Sequence, residues 1–196
     1  MEFLTPGIIA MSVLFTAMFS GVEVIWDKQF GFLKETLVAP VSRLEIMIGR
    51  TLGGATVATL QGLAVFLISL LIGFRPANLT LFPLALAFML LIALFFTALG
   101  TAIASILEDM QGFQLIMNFV VMPTFFLSGA LFPLKGLPES LTLVASFNPL
   151  SYGVDGIRGT LVNGFYFGLP MDLLVLAVST IVLLSIGAYL FSKIQI

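Results

Sequence analysis

Five stretches of the chain, 3–22, 51–74, 76–107, 110–134 and 173–192, run for 20 residues or more without a charged side chain. A charge at the centre of an inserted helix costs about 2.5 to 3.5 kcal/mol, so uncharged apolar runs of this length mark segments able to cross a bilayer as helices. Every other interval between charges is too short. The expected spans are 6–25, 51–74, 81–107, 112–134 and 172–192, with Pro6 in a first turn and Pro123 bending the fourth. The fold class is therefore all-α: a polytopic membrane protein with five transmembrane helices, forming one membrane domain over 1–196. Composition agrees, because 60% hydrophobic and 9% charged residues leave a soluble domain too little polar surface. Mean hydropathy is +1.17.

The absence of Cys and His excludes disulfides, thiolate or imidazole metal sites and any catalytic dyad that uses them. Carboxylate chemistry remains, but every acid falls at or beyond an expected helix end, whereas ion-coupled carriers place ionisable groups at mid-depth. Glu23 and Glu45, near helix ends, read as snorkelling or paired residues. A G-x-x-x-x-G-K-[ST] phosphate loop is also missing, and Gly49-Arg50-Thr51 lacks its Lys and glycine-rich turn. The chain is expected to be no enzyme, to bind no cofactor, and to take energy from elsewhere if it does energised work.

The largest polar island is Trp26–Arg50, which holds Lys28, Lys34, Arg43 and Arg50 of the 8 basic residues. Trp26, Phe30, Leu33 and Leu37 recur at helical spacing, with Asp27, Lys28, Lys34 and Glu35 on other faces. This predicts an amphipathic helix stopped by Pro40, lying at the membrane boundary either as an anchor or as a docking surface. Basic residues belong on the cytoplasmic side. Placing 26–50 inside makes the C-terminus, with Lys193, cytoplasmic and the 135–171 segment external. Residue 1 is then left outside, so the expectation is an upstream helix and six spans in the native chain.

The segment Phe125–Arg158 is too apolar for a solvated loop. Pro138 fits the first turn of a short helix, Asn148 and Pro149 fit the cap and first position of another, and Asp155 and Arg158 are spaced to pair on it. Short external re-entrant helices over 135–165 are expected, serving either as a lid or as a gate that includes Pro133 and Tyr152.

Gln61 in the second span and Gln114 and Asn118, four apart on the fourth, either line a translocation path or hydrogen-bond between helices. Gly49 with Gly53 and Gly100 with Ala104 predict close helix packing, within the chain or across a dimer. The sequon at Asn78 lies too near the membrane edge to identify a function, and the 20 Phe residues are packing and lipid-facing groups.

The segments FLSGALFPLKGLPESL and FNPLSYGVDGIRG, preceded by GFLKETLVAPVSRLEIMIGR, resemble the permease subunits of ABC-2 type exporters of drugs, nodulation factors, O-antigen and capsule. The resemblance covers essentially the whole chain from the family's second spanning helix. It implies a permease in the cell (cytoplasmic) membrane that forms a homodimer or pairs with a related permease. It also implies two copies of a separate ATPase subunit, which would bind ATP and magnesium. Membrane lipids are the other expected contact, and no nucleic acid is expected. The loop at 26–50 would contain a cytoplasmic coupling helix, with Lys28, Phe32, Lys34, Glu35, Thr36, Leu37, Pro40, Val41, Ser42 and Arg43 as its ATPase contacts. The expected cargo is a drug-like or lipid-like amphiphile, because the outer motif is most similar to the drug-exporter branch; a polysaccharide or glycolipid is the alternative. From other classes, a structural or assembly membrane protein and a membrane enzyme compete, the latter without a visible catalytic cluster.

Overall fold

The computed structural model describes residues 2–32, 40–136 and 138–192. Lys34, Glu35, Thr36 and Leu37 of the expected coupling set lie outside the described residues, as do Leu137 and Lys193. Within the described residues the secondary structure is helical, without strands. The helices are α1 (Leu4–Phe19), α2 (Gly21–Gln29), α3 (Arg43–Ile72), α4 (Phe82–Ile106), α5 (Met110–Phe126), α6 (Glu139–Phe147), α7 (Pro149–Val162) and α8 (Leu169–Ser192), with a 3-10 turn at Leu79–Leu81.

Four units are long and apolar enough to cross a membrane: α1 running on into α2, α3, the 3-10 turn with α4, and α8. The fourth expected span, 112–134, is shorter than the sequence predicts. Its helix α5 ends at Phe126 after 17 residues, about 26 Å at 1.5 Å per residue and so below a bilayer core of about 30 Å. Pro123 removes one ladder donor, and the chain then leaves the helix through Ser128 and a left-handed Gly129 at φ 76°.

The amphipathic helix expected from Trp26 and stopped by Pro40 also differs from expectation. Trp26 to Gln29 complete α2, whose Phe30 N–H donates to Trp26 O at 2.8 Å, and Gly31 turns the chain at φ 83°. A left-handed turn at Gly31 therefore interrupts the expected helix just after α2, while Leu33 and Leu37 of its apolar face lie outside the described residues. The next described helix, α3, begins eight residues before the expected span. Its start is fixed by a capping box, in which Ser42 Oγ accepts from Glu45 N–H at 3.2 Å and Glu45 Oε2 accepts from Ser42 N–H at 2.7 Å. Gly73, left-handed at φ 109°, ends α3, with Phe74 N–H reaching back to Ser69 O at 2.9 Å.

Helix α4 is the hub: α1, α2, α3, α7 and α8 all pack on it. It has the chain's highest mean hydropathy among the four units, and alternates Phe88, Ile92 and Phe96 with Ala85, Ala93, Gly100 and Ala104, all buried. The small residues let neighbours approach to backbone distance. A Cβ built on Gly100 would sit 2.6 Å from Met18 O, so α1 touches α4 there through main chain.

Candidate functional site

Two polar clusters stand out, one at each end of the bundle. At the first, Lys28 reaches from α2 across the end of α4, and its Nζ donates to Ala104 O at 2.9 Å, Ser105 O at 2.6 Å and Leu107 O at 3.0 Å. The last carbonyls of a helix have no partners within it, and an ammonium has three donors to give. Beside it Asp27 forms an ion pair with Arg50 on α3, and Gln29 Nε2 donates to Glu108 O at 3.4 Å. The end of α2 is thus tied to both α3 and α4.

Around this brace the described members of the expected coupling set divide. Phe32, Pro40, Val41, Ser42 and Arg43 are exposed, whereas the Lys28 ammonium is turned inward. Phe30 and Phe32 are 71% and 55% exposed on one side of residues 33–39, and Val41 and Leu44 are 50% and 53% exposed on the other. Glu45, expected to snorkel or pair, is held by Ser42 in the capping box. An apolar cavity of about 310 Å³ opens between α3 and α8, lined by Leu44, Met47, Ile48, Leu52, Leu94 and Leu184 among others.

At the opposite end, Pro138 stands at the cap position just before α6 rather than in its first turn, whereas Asn148 caps α7 with Pro149 in first position, as the sequence predicts. Asn148 accepts from Leu150 N–H at 3.0 Å, while its Nδ2 donates to Thr124 O on α5 at 2.6 Å. Tyr152 Oη donates to Ser146 O at 2.8 Å, its ring stacking on Phe167. These bonds join α5, α6 and α7.

Asp155 and Arg158 do not form the expected pair. Asp155 accepts three bonds from the backbone N–H groups of Tyr166 and Phe167, at 2.8 to 2.9 Å. Arg158 donates to Gly129 O at 2.9 Å and lies 4.1 Å over the Phe3 ring. The connection after α7 folds back over the helix and takes the carboxylate, which the i, i+3 spacing alone does not reveal. Burial pushes the Arg158 guanidinium below its ordinary pKa, against the opposing effect of Asp155. A cavity of about 260 Å³ beside it is lined by Phe3, Ser128, Pro133, Lys135, Ser151 and Asp155 among others. Pro133 and Pro138 are exposed, whereas α7 is buried on nearly every side.

Gln61 on α3 and Gln114 and Asn118 on α5 are all exposed on the surface of the chain. They do not line an enclosed path within it. The sequence reasoning missed Asp172: expected as the first residue of the last span, it lies inside α8, fully buried, with neither carboxylate oxygen hydrogen-bonded. An acid opening an otherwise apolar run was the available signal. Among the described residues no group of three or more acids, His or Cys is arranged to hold a metal ion.

Residues 1–162 match the family described as ABC-2 type transporter. The chain belongs to that family. Relatives of this ABC-2 chain include a protein named as transport permease ycf38 from Porphyra purpurea, 32% identical over 80% of this chain and 54% of its own length. Nodulation protein J of Rhizobium leguminosarum bv. viciae is 28% identical over 82% of this chain and 62% of its own. The inner membrane transport permease YadH of Escherichia coli (strain K12) is 28% identical over 81% of this chain and 61% of its own. The chain thus spans between 54% and 62% of the lengths of these relatives. Both polar clusters fall within the matched residues except for Tyr166, Phe167 and Asp172. With its apolar helices, the ABC-2 chain is a multi-pass membrane protein.

Proposed function

We propose that this chain is the membrane permease subunit of an ATP-driven ABC exporter, working as a dimer with two copies of a separate ATPase. The observation that carries the reading is the construction at the Trp26–Arg50 end. Exposed Phe30, Phe32, Val41 and Leu44 flank residues 33–39, directly beside a brace linking α2 to α3 and α4. A protein pressing on that surface would move three helices together, because the ends that meet there are bonded rather than merely packed.

In this proposal the ATPase contacts are Phe32, Lys34, Glu35, Thr36, Leu37, Pro40, Val41, Ser42 and Arg43, and Lys28 transmits their movement to α4. The Trp26–Arg50 end and the C-terminus are cytoplasmic, α5 is a fifth, short span, and α6 and α7 form an outer re-entrant gate. Gln61, Gln114 and Asn118, exposed on the single chain, face the path in the assembled dimer. The cargo is an amphiphile, for which the apolar cavity between α3 and α8 beside the coupling surface offers an apolar berth.

The test is to copurify the chain with its candidate ATPase and assay ATP turnover in lipid vesicles. Val41→Asp with Arg43→Glu is expected to lower recovery of the ATPase at least tenfold while leaving the chain folded and membrane-inserted. Unchanged recovery and unchanged transport-coupled hydrolysis in that variant would refute the docking surface.

A further inference from the structure

Ser151, Asp155 and Arg158 fall on one stripe of α7, spaced by four and then three residues, and all three line the cavity of about 260 Å³ beside Phe3. Lys135, on the connection before α6, and Tyr166, on the connection after α7, line it as well. The donors along this stripe are unevenly served. Arg158 has five N–H groups to give, and among the described residues only Nη2 is hydrogen-bonded, to Gly129 O at 2.9 Å. Its Nε is buried without a partner, and so is the hydroxyl of Ser151, a residue only 1% exposed. Further along the same helix, Thr160 turns its hydroxyl back to Gly156 O and Ile157 O. Ser151, in the first turn, makes no such bond. The other serine of the lining, Ser128, is satisfied, donating to Phe125 O and accepting from Ala130 N–H.

The charges around the cavity favour an anion. Arg158 and Lys135 stand against Asp155, a formal excess of one positive charge in the lining. Asp155 consumes neither cation: among the described residues no ion pair joins them within 4 Å, and its carboxylate takes three bonds from the Tyr166 and Phe167 amides. Glu2 and Glu139, both exposed, form no ion pair with either cation. The Phe3 ring, 4.1 Å from the guanidinium carbon, and Gly129 O together fix where Arg158 points. A guanidinium fork beside an ammonium and a hydroxyl suits a tetrahedral oxyanion, whose oxygens spread over several donors, better than a flat carboxylate that the fork alone would satisfy. The volume falls below the about 300 to 1,000 Å³ of pockets that enclose a whole small molecule. It fits a headgroup. The exposed rings of Phe132 and Tyr166 at this end of the bundle match the headgroup level of a bilayer, where phosphate is the abundant anion.

We propose that this cavity binds a phosphate group, carried by a lipid at the membrane surface or free in solution, with Arg158 and Lys135 as its charged contacts and the Ser151 hydroxyl beneath them as a third donor. The unused N–H groups of Arg158 go to phosphate oxygens, and Lys135 closes on the anion from the exposed side. The N-terminal turn of α7 adds the positive end of its dipole. Asp155, tied to the Tyr166 and Phe167 amides, holds the 163–168 connection against the site. None of this rests on the export reading or on which end of the bundle faces the cytoplasm.

Calorimetry on the full chain in a non-ionic detergent tests the site without an ATPase or a transport assay. Dihexanoyl phosphatidylglycerol should bind at a single site per chain, whereas dihexanoylglycerol, with the same tails and no phosphate, should not. Lys135→Gln, at an exposed position, should weaken binding about threefold, and adding Arg158→Gln should weaken it about tenfold more. The single Lys135 variant decides the matter where the Arg158 change upsets the fold. Arg75→Gln, at another exposed cation, should change nothing. Inorganic phosphate that binds with the same sensitivity to Lys135→Gln would show that the free anion suffices; binding of the phosphorylated lipid alone would assign the site to a headgroup with its tails. Equal binding of the two lipids, indifference to Lys135→Gln, or an equal loss in Arg75→Gln would each overturn the proposal.

Discussion

Lys28 shows how one side chain can fasten an element that is remote in sequence. It sits in the last turn of α2, and its ammonium ends on three carbonyls at the close of α4, 76 to 79 residues away. Lys28→Met keeps the stem and removes the charge, leaving those carbonyls without their donor. The expected loss is about 2 kcal/mol, the scale of a partly buried cation at a helix C-terminus, measured by reversible unfolding in mixed micelles. Lys28→Arg should recover part of it. A Lys28→Met chain as stable as the parent would mean that the carbonyls are served equally well by water. Nothing near Lys28 in the sequence announces this role, since periodicity assigns it only to the polar face of a helix. Asn148 and Pro149 were legible for the opposite reason: a cap and a first-turn proline act on their own helix, and their chemistry is local. Asp155 and Asp172 fall on the hidden side of that division. The amides that Asp155 receives and the missing partners of Asp172 are properties of the packed bundle, and spacing along the chain pointed instead to an Asp155–Arg158 pair.

At the scale of elements, the uncharged runs located the helices because the cost of burying charge in lipid applies to every residue in a span. They placed helix ends less well. Helix α3 extends beyond its expected start because the Ser42–Glu45 box stabilises a turn that still bears charge, and α5 stops early because Pro123 and Gly129 interrupt an otherwise apolar stretch. How the elements meet depends on residues with almost no side chain. Gly100→Val would push a branched side chain into Met18 O, with the built Cβ already at 2.6 Å, and separate α1 from α4. The expected cost is about 1 to 3 kcal/mol, typical of an overpacked site. Gly53→Ala is the control: no atom lies within 4 Å of its built Cβ, and Ala is the better helix former by up to about 1 kcal/mol. Unfolding both variants in one detergent system should therefore give shifts of opposite sign. A common sign would mean that α1 and α4 are not in main-chain contact at Gly100, or that Gly53 is covered in the assembled protein.

At the scale of the whole molecule, the proposed function depends on which end of the bundle faces the cytoplasm, because the proposed ATPase could press on the Trp26–Arg50 end only if that end is inside. The distribution of basic residues argues that it is, with Lys28, Lys34, Arg43 and Arg50 gathered within Trp26–Arg50. The chain contains 0 Cys, so a single introduced thiol reports its own side of the membrane without background. Glu139, exposed at the start of α6, and Val41, exposed just before α3, mark the two ends. Both lie outside the packed core, so Cys at either position should leave the fold intact. Glu139→Cys is expected to react with a membrane-impermeant maleimide in intact cells, and Val41→Cys only after the membrane is opened. The reverse pattern would set the brace and its exposed Phe30 and Phe32 on the outside, beyond the reach of any nucleotide-driven partner.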